Sequence, residues 1–528
     1  MGASDDRTAA DLRRVAVGAA AVALLATWWV SHQGLQLLYA DTRSHLTIAR
    51  RLVDGPNRGL VQLGTVWLPL QHLLLAPFSA LDALWTSGWA GALVGAACLA
   101  VEAAALWHVT TVLNRDARFA GLVVVVLYVT NPTILFLHTS AFAEPVLYAA
   151  VLLTAAALVH WAVREKPYSG GEMALYCGGP AALAVLARYD GWAFALVWAL
   201  CIAVMSWRRW GSRRYAGKMT LCFAAPPLGA ALWWLWFNWV NFGDPLEFQR
   251  GRYSAQAQQQ VLADQGLLPD QGDLPASVGT FLRSAWIALG WVTLVGALAG
   301  LVVLAIRARR RDERARPPGR VLALVLVLTA TPVVFYVWSL FTGQVALRFG
   351  DAAGESIFNL RYGAAVFPGL AVLAATALAA VGGAVWWRRV VALGLAAAPF
   401  VALAVVPGWR EVGVVEEALE QRQAGDDQWA AAEWLERDLG GGRVLVDDSV
   451  NPMLPVIGAG LDDVVAPFSR DWDETLRDPG GVTHVFVDQG NPDDQVGQAL
   501  AADPDLLDGF DVAAEFGPVV IYRSQDAP

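Results

Sequence analysis

Apolar runs of roughly 17 to 25 residues recur along this chain, and no other feature restricts its fold as strongly. Inside a bilayer every backbone N–H and C=O needs an internal partner, so such runs cross as helices. Eleven are expected to do so: Val15–Val30, Gly88–Val112, Phe119–Leu137, Ala141–Val163, Met173–Ala187, Gly191–Trp207, Met219–Val240, Phe281–Ile306, Val321–Phe341, Tyr362–Val381 and Val390–Val406. A soluble chain of 528 residues has no use for so many, and the 56% hydrophobic composition with mean hydropathy +0.44 agrees.

Charge gives the runs a direction. Arg208, Arg209, Arg213, Arg214 and Lys218 fall in one connection, and seven arginines lie between Arg307 and Arg320 in another. Placing both on the cytoplasmic side fixes an inside N-terminus and an outside C-terminus for a multi-pass plasma-membrane protein. Thr65–Leu81 is apolar but short and holds Pro69 and Pro77. Counting it as a span would put the seven-arginine loop outside, so it is expected to be re-entrant or interfacial, closing a first outer loop over residues 31–87. Arg13 and Arg14 precede the first run as in a signal peptide, but Leu38-Tyr39-Ala40 is a poor cleavage site, so an uncleaved span is expected. Most of the 24 tryptophans cluster near run ends, as interfacial belts do. Cys98, Cys177, Cys201 and Cys222 lie in or beside apolar runs, with neither a disulfide framework nor zinc spacing.

From Gly408 onward, 26 acidic residues face seven arginines, a net of −19. Alternating helical and extended patterns there predict a small extracytoplasmic α/β domain over 408–528, following a transmembrane domain over 1–407. The acidity suits an exposed compartment and argues against nucleic acid. The long polar segment Asn241–Thr280, rich in glutamine, has the length of a lid or an acceptor-binding loop.

The candidate chemistry lies in four short outer segments. Asp41 is the first acid beyond the first run, placed to N-cap a helix over Thr42–Asp54 that Gly55 and Pro56 stop. Leu46, Ala49, Leu52 and Val53 share one side of that helix. Arg43, Arg50, Arg51 and Asp54 lie on the other, as in an amphipathic helix on the membrane surface. Glu144-Pro145 opens another helix, Arg188-Tyr189-Asp190 forms a tight turn, and Asn359-Leu360-Arg361-Tyr362 leads into a late run. Two carboxylates and two guanidinium groups suit transfer from a lipid phosphate. Arg188 and Arg361 would hold the phosphate, and Asp41 would accept a proton from, or orient, an acceptor hydroxyl. Glu144 would support Asp41, hold the acceptor, or bind a divalent cation with Asp41, His45 or His138. Each residue also has a plainer reading. Acids at helix starts stabilise the dipole, interfacial arginines snorkel to head groups, and histidines beside apolar runs are mostly packing residues.

With these residues in place the chain resembles the GT-C integral membrane glycosyltransferases, near the protein O-mannosyltransferase and aminoarabinose-transferase branch. The likeness spans about residues 10–400. It rests on Asp41 after the first run, the Pro-containing segment Trp67-Leu68-Pro69, Glu144-Pro145 and Arg361-Tyr362. The resemblance implies inverting transfer from a polyprenyl-phosphate sugar to a lipid, glycan or protein acceptor among membrane lipids, with the first-loop acid as base. Substrate contacts are expected from Arg188, Arg361, Tyr362, His45 and His138. Many relatives carry Asp-Glu at the first site, whereas Thr42 follows Asp41 here. A transporter or flippase of lipid-linked saccharides is the main rival, although no internal repeat is visible. A scaffold or sensor using the acidic tail is a second.

Overall fold

The computed structural model describes residues 3–115, 117–251, 254–264, 266, 268–310, 316–350, 356–382, 385–405 and 412–527. The expected boundary at 407/408, the end of the last run at Val406, and Arg311 and Arg314 fall outside them.

Eight described helices are long and apolar enough to cross a membrane: Arg7–His32, Trp89–Leu113, Glu144–Val163, Asp190–Trp210, Arg213–Phe242, Leu274–Ala308, Gly319–Phe341 and Leu360–Val381. The other three expected runs take different forms. Phe119–Leu137 becomes Arg118–Val129 and Pro132–His138, bent by 69°. There the Asn131 side chain accepts from the Ile134 N–H, and Pro132 forces the residue before it out of helical geometry. Met173–Ala187 starts with a π-helical segment, Met173–Gly178, followed by the short helix Gly179–Ala187. Val390–Val406 belongs to a helix, Trp386–Val405, that begins with two tryptophans and two arginines. Thr65–Leu81 holds only the helix Leu70–Ser79, whose ten residues reach about half of a bilayer core. Trp28, Trp207, Trp236, Trp239 and Trp386 lie exposed on the bundle, as belt residues would, whereas Trp234 is buried against Leu63, Leu68 and Phe237.

Close approaches at two glycines shape the bundle around the loops that matter. A Cβ on Gly91 would stand 2.4 Å from the Ala141 nitrogen, so the loop leading into Glu144 can rest on the helix Trp89–Leu113. A Cβ on Gly363 would stand 2.3 Å from the Ser284 carbonyl carbon, and the same tight contact seats the turn carrying Arg361.

The first loop differs from its expected form. Its helix runs Ala40–Arg51, with Tyr39 at the cap position and no side-chain cap bond, so Asp41 sits in the first turn instead of capping it. The polar face is covered, not laid on a membrane surface. Arg43 donates through Nε to the Pro452 carbonyl (2.8 Å) and through Nη1 to the Leu37 and Leu38 carbonyls. Arg51 donates to the Gln62 carbonyl and lies 4.7 Å from the Phe468 ring centroid. Arg50 pairs with Asp54 and Asp82. The C-terminal region covers Arg43 and Arg51, whereas Ser79, Asp82 and Trp85 cover Arg50, and Val53, expected on the apolar side, is exposed.

That region carries a five-stranded sheet in the order Val464–Val465, Val444–Leu445, His484–Asp488, Val519–Ser524, Phe510–Phe516. The first three strands are parallel and the last two antiparallel additions. Side chains alternate across it as a pleat requires. Leu445, Val465, Val485 and Val487 pack with Trp472 and Val496 on one face. Val444, Val464 and Phe486, on the other, belong to an apolar core continuous with the membrane bundle through Val412, Val414 and Val415.

Asp448 is buried where this region meets the Ala40–Arg51 helix, and its Oδ1 has no hydrogen bond among the described residues. Burial pushes its carboxyl up to about 8, against the opposing pull of Arg51. The unfolded chain releases this proton at 3.8, so the fold bears a cost that grows as pH rises from 3.8 to about 8 and then levels. Asp448→Asn is therefore expected to raise the unfolding midpoint over wild type, by more at pH 8 than at pH 5. Thermal unfolding in detergent at both pH values measures this, and an equal shift at both would contradict the assignment.

Candidate active site

Four segments distant in sequence bring the site together. Asp41 comes from the first turn of Ala40–Arg51, and Glu144 opens Glu144–Val163 with Pro145 behind it. Arg188 ends the helix Gly179–Ala187 in extended geometry, and Arg361 sits in the 3-10 turn Leu360–Val366.

Arg361 joins the two acids. Its Nη2 donates to Asp41 Oδ2 at 2.5 Å, and its Nε donates to Glu144 Oε1 at 2.9 Å. Arg188 Nη1 donates to the same Glu144 oxygen at 2.9 Å. A carboxylate as deeply buried as Glu144 needs this double compensation, since an unpaired charge there would cost several kcal/mol. Asp41 is different: its side chain is 34% exposed, and the Arg361 contact uses Oδ2. Arg361 Nη1 is buried without a hydrogen-bond partner among the described residues. The site thus pairs a locked acid with an accessible one and holds a spare guanidinium donor.

Aromatic rings enclose the guanidinium groups. Arg361 lies over Tyr39 (4.6 Å), Tyr362 (5.3 Å) and Phe142 (5.6 Å), and Arg188 over Tyr362 (5.5 Å). Tyr362 in turn stacks on Tyr336. The Tyr336 hydroxyl donates to Asp190 Oδ2 at 3.0 Å, and Asp190 Oδ1 lies 3.6 Å from Arg188 Nε. Gln71 steadies the Glu144 loop by donating to the Phe142 carbonyl.

His45 follows Asp41 by one helical turn, and its Nδ1 meets His72 Nε2 at 2.9 Å while its ring lies beside Trp67. Burial pulls His45 down to about 4, although Asp41 and Glu144 pull the other way, so it is neutral at physiological pH. The unfolded chain takes up this proton near 6.5, so stability is intact above that pH and falls as pH drops towards about 4. His45→Gln is expected to flatten this part of the stability–pH curve. Unfolding midpoints between pH 7 and pH 4 would show it, and curves that stay parallel would refute it.

His138 does not join the group. It is buried in the bundle, with Nδ1 against the Ile134 carbonyl and Nε2 3.1 Å from Glu102 Oε1, which Tyr128 also serves through Oε2. A divalent cation on Asp41, Glu144 and His45, one of three alternatives for Glu144, is not favoured by the surrounding charge. Both acids face guanidinium groups, and no group of three or more His, Cys, Asp or Glu among the described residues is arranged to hold a metal. Sequence reading did not single out Tyr39, Tyr336 or Glu417 as neighbours of the site. Asp190 was noticed only as part of its turn.

No family model and no curated protein matches the chain. Solved structures do. ArnT from Cupriavidus metallidurans bound to undecaprenyl phosphate shares 14% identity over 96% of this chain and 97% of its own, with a TM-score of 0.57. Its apo state gives 15% identity over the same shares and a TM-score of 0.54. The Archaeoglobus fulgidus oligosaccharyltransferase complex with zinc and sulfate is more distant, at 12% identity over 88% of this chain and 68% of that chain, TM-score 0.44. The chain has the GT-C fold: a polytopic helical membrane part followed by a small C-terminal sheet region.

Proposed function

We propose that this protein is a membrane glycosyltransferase that moves a sugar from a polyprenyl-phosphate donor to an acceptor hydroxyl at the outer face of the plasma membrane. One observation carries the reading: a partly open Asp41 is tied through Arg361 to a buried Glu144 that also holds Arg188. The whole-length likeness to a protein solved with undecaprenyl phosphate supports the lipid class of donor.

In this mechanism the donor phosphate competes with Asp41 for Arg361, whose unpartnered Nη1 already offers one N–H. Arg188 takes a second phosphate oxygen. Transferring Arg361 to the phosphate frees Asp41 to act as base. The acceptor oxygen attacks the anomeric carbon opposite the phosphate, and its proton passes to Asp41. The carbon–oxygen bond to phosphate breaks with its electron pair remaining on the prenyl phosphate, where the two guanidinium groups stabilise the developing charge. Glu144 holds both arginines in place throughout, Tyr362 backs them from the side, and neutral His45 orients a sugar or acceptor hydroxyl.

The test is purified protein in bilayers with labelled undecaprenyl-phosphate sugars and a membrane extract as acceptor source. Formation of a glycosidic bond together with free prenyl phosphate is the expected result. Movement of the labelled lipid across the bilayer with no new bond would overturn the reading and favour a flippase.

A further inference from the structure

The helix Gly413–Ala424 begins the C-terminal region after the last membrane helix, and three side chains on one of its faces reach backbone N–H groups of two separate loops. Glu417 accepts from the Asn359 N–H at 2.6 Å and the Leu360 N–H at 3.1 Å, and from the Tyr39 hydroxyl. Gln421 accepts from the Ala40 N–H at 3.1 Å, and Glu420 from the Ile357 N–H at 2.8 Å. Positions 417, 420 and 421 are i, i+3 and i+4, so a single helical face makes all five contacts. Tyr39 and Ala40 immediately precede Asp41, and Asn359 and Leu360 immediately precede Arg361.

The contacts correct specific deficits. Asn359 holds a left-handed backbone (φ 61°), which persists only where surroundings impose it. Glu417 bonds its N–H, and its own Nδ2 donates to the Ala346 carbonyl at 3.0 Å. Without Glu417 the turn presenting Arg361 would lose two of its bonds. Glu417 is itself fully buried, and nothing in its own helix requires an acid at that depth. Burial raises its carboxyl above the usual range, opposed by Arg361.

We infer that Glu417 is a positioning residue, through which the C-terminal region sets the spacing of Asp41 and Arg361 and so completes the donor-phosphate site. Gln421 and Glu420 fix the flanking backbone. The inference rests on the glycosyltransferase reading for its functional consequence, whereas the holding of the two loops stands apart from it.

The experiment uses full-length protein in nanodiscs and compares wild type, Glu417→Gln, Glu417→Ala, Arg361→Gln and the Glu417→Ala/Arg361→Gln double variant. Hydrogen exchange reads the holding directly. The Asn359 and Leu360 amides are expected to exchange at least tenfold faster in Glu417→Ala, less in Glu417→Gln, with membrane helices unchanged. Unchanged exchange at 359–360 overturns the inference, and so does a rise spread evenly over the whole chain, which marks misfolding. Equilibrium binding of undecaprenyl phosphate reads the consequence. Glu417→Ala is expected to weaken it at least tenfold, but to add nothing in the Arg361→Gln background, because the residue acts through that guanidinium. Additive losses, or no loss despite faster exchange, overturn the positioning role. If wild type binds no undecaprenyl phosphate, the function proposed above fails, while the exchange result still decides whether Glu417 holds the loops.

Discussion

Asp41→Asn is expected to lower sugar transfer by about 10²–10⁴-fold, the range for removing a general base. The amide keeps the shape of the side chain and an oxygen for Arg361, but it cannot take a proton from the acceptor. Fold stability should change little. Asp41 is one-third exposed and Glu144 still pairs with Arg361, so solvent and Glu144 compensate much of the lost ion pair. Initial rates with a labelled prenyl-phosphate sugar, alongside the unfolding midpoint, separate the two effects. A rate within a few-fold of wild type would remove Asp41 from the chemistry.

The second large effect is on the fold. Glu144→Gln leaves Arg188 and Arg361 sharing a neutral oxygen where both now share a buried carboxylate, and breaking such a pair costs about 3–5 kcal/mol. Arg361 would retain Asp41, and Arg188 would retain Asp190 as its ion-pair partner. Transfer should fall with stability, and Glu144→Asp should recover stability more than activity, because the shorter carboxylate restores charge but not reach. Unfolding in increasing denaturant measures the first quantity. A Gln variant as stable as wild type would show that the arginines do not depend on Glu144.

What could be read in the sequence followed from local pattern, and what could not came from long-range polar contacts. Apolar runs marked the bundle, and sidedness singled out Asp41, Glu144-Pro145, Arg188 and Arg361-Tyr362 because ionisable groups at membrane level need partners. Their common sidedness led to the expectation that they converge, but which guanidinium pairs with which carboxylate had no sequence signature. Neither did Tyr39 against Glu417, which are 378 residues apart. The arginines of Ala40–Arg51 looked solvated because helical periodicity separates faces without saying what covers each. For His138 the plainer reading as a packing residue agrees with its contacts. Glu102 lies inside an apolar run and required a buried partner, and His138, beside the Asn131-Pro132 break, could meet it. The same break, and Gly178-Gly179-Pro180, carried the signal that two runs would not be simple helices.

The central claim is that Arg188 and Arg361, held by Glu144, form a seat for a prenyl phosphate beside Asp41. Competitive binding of undecaprenyl phosphate and undecaprenol, which share a lipid and differ in the phosphate, measures it most directly. Wild type should prefer the phosphate by at least tenfold, and the Arg188→Gln/Arg361→Gln double variant should show no preference. Equal binding of the two lipids by wild type, or an unchanged preference in the double variant, would contradict it.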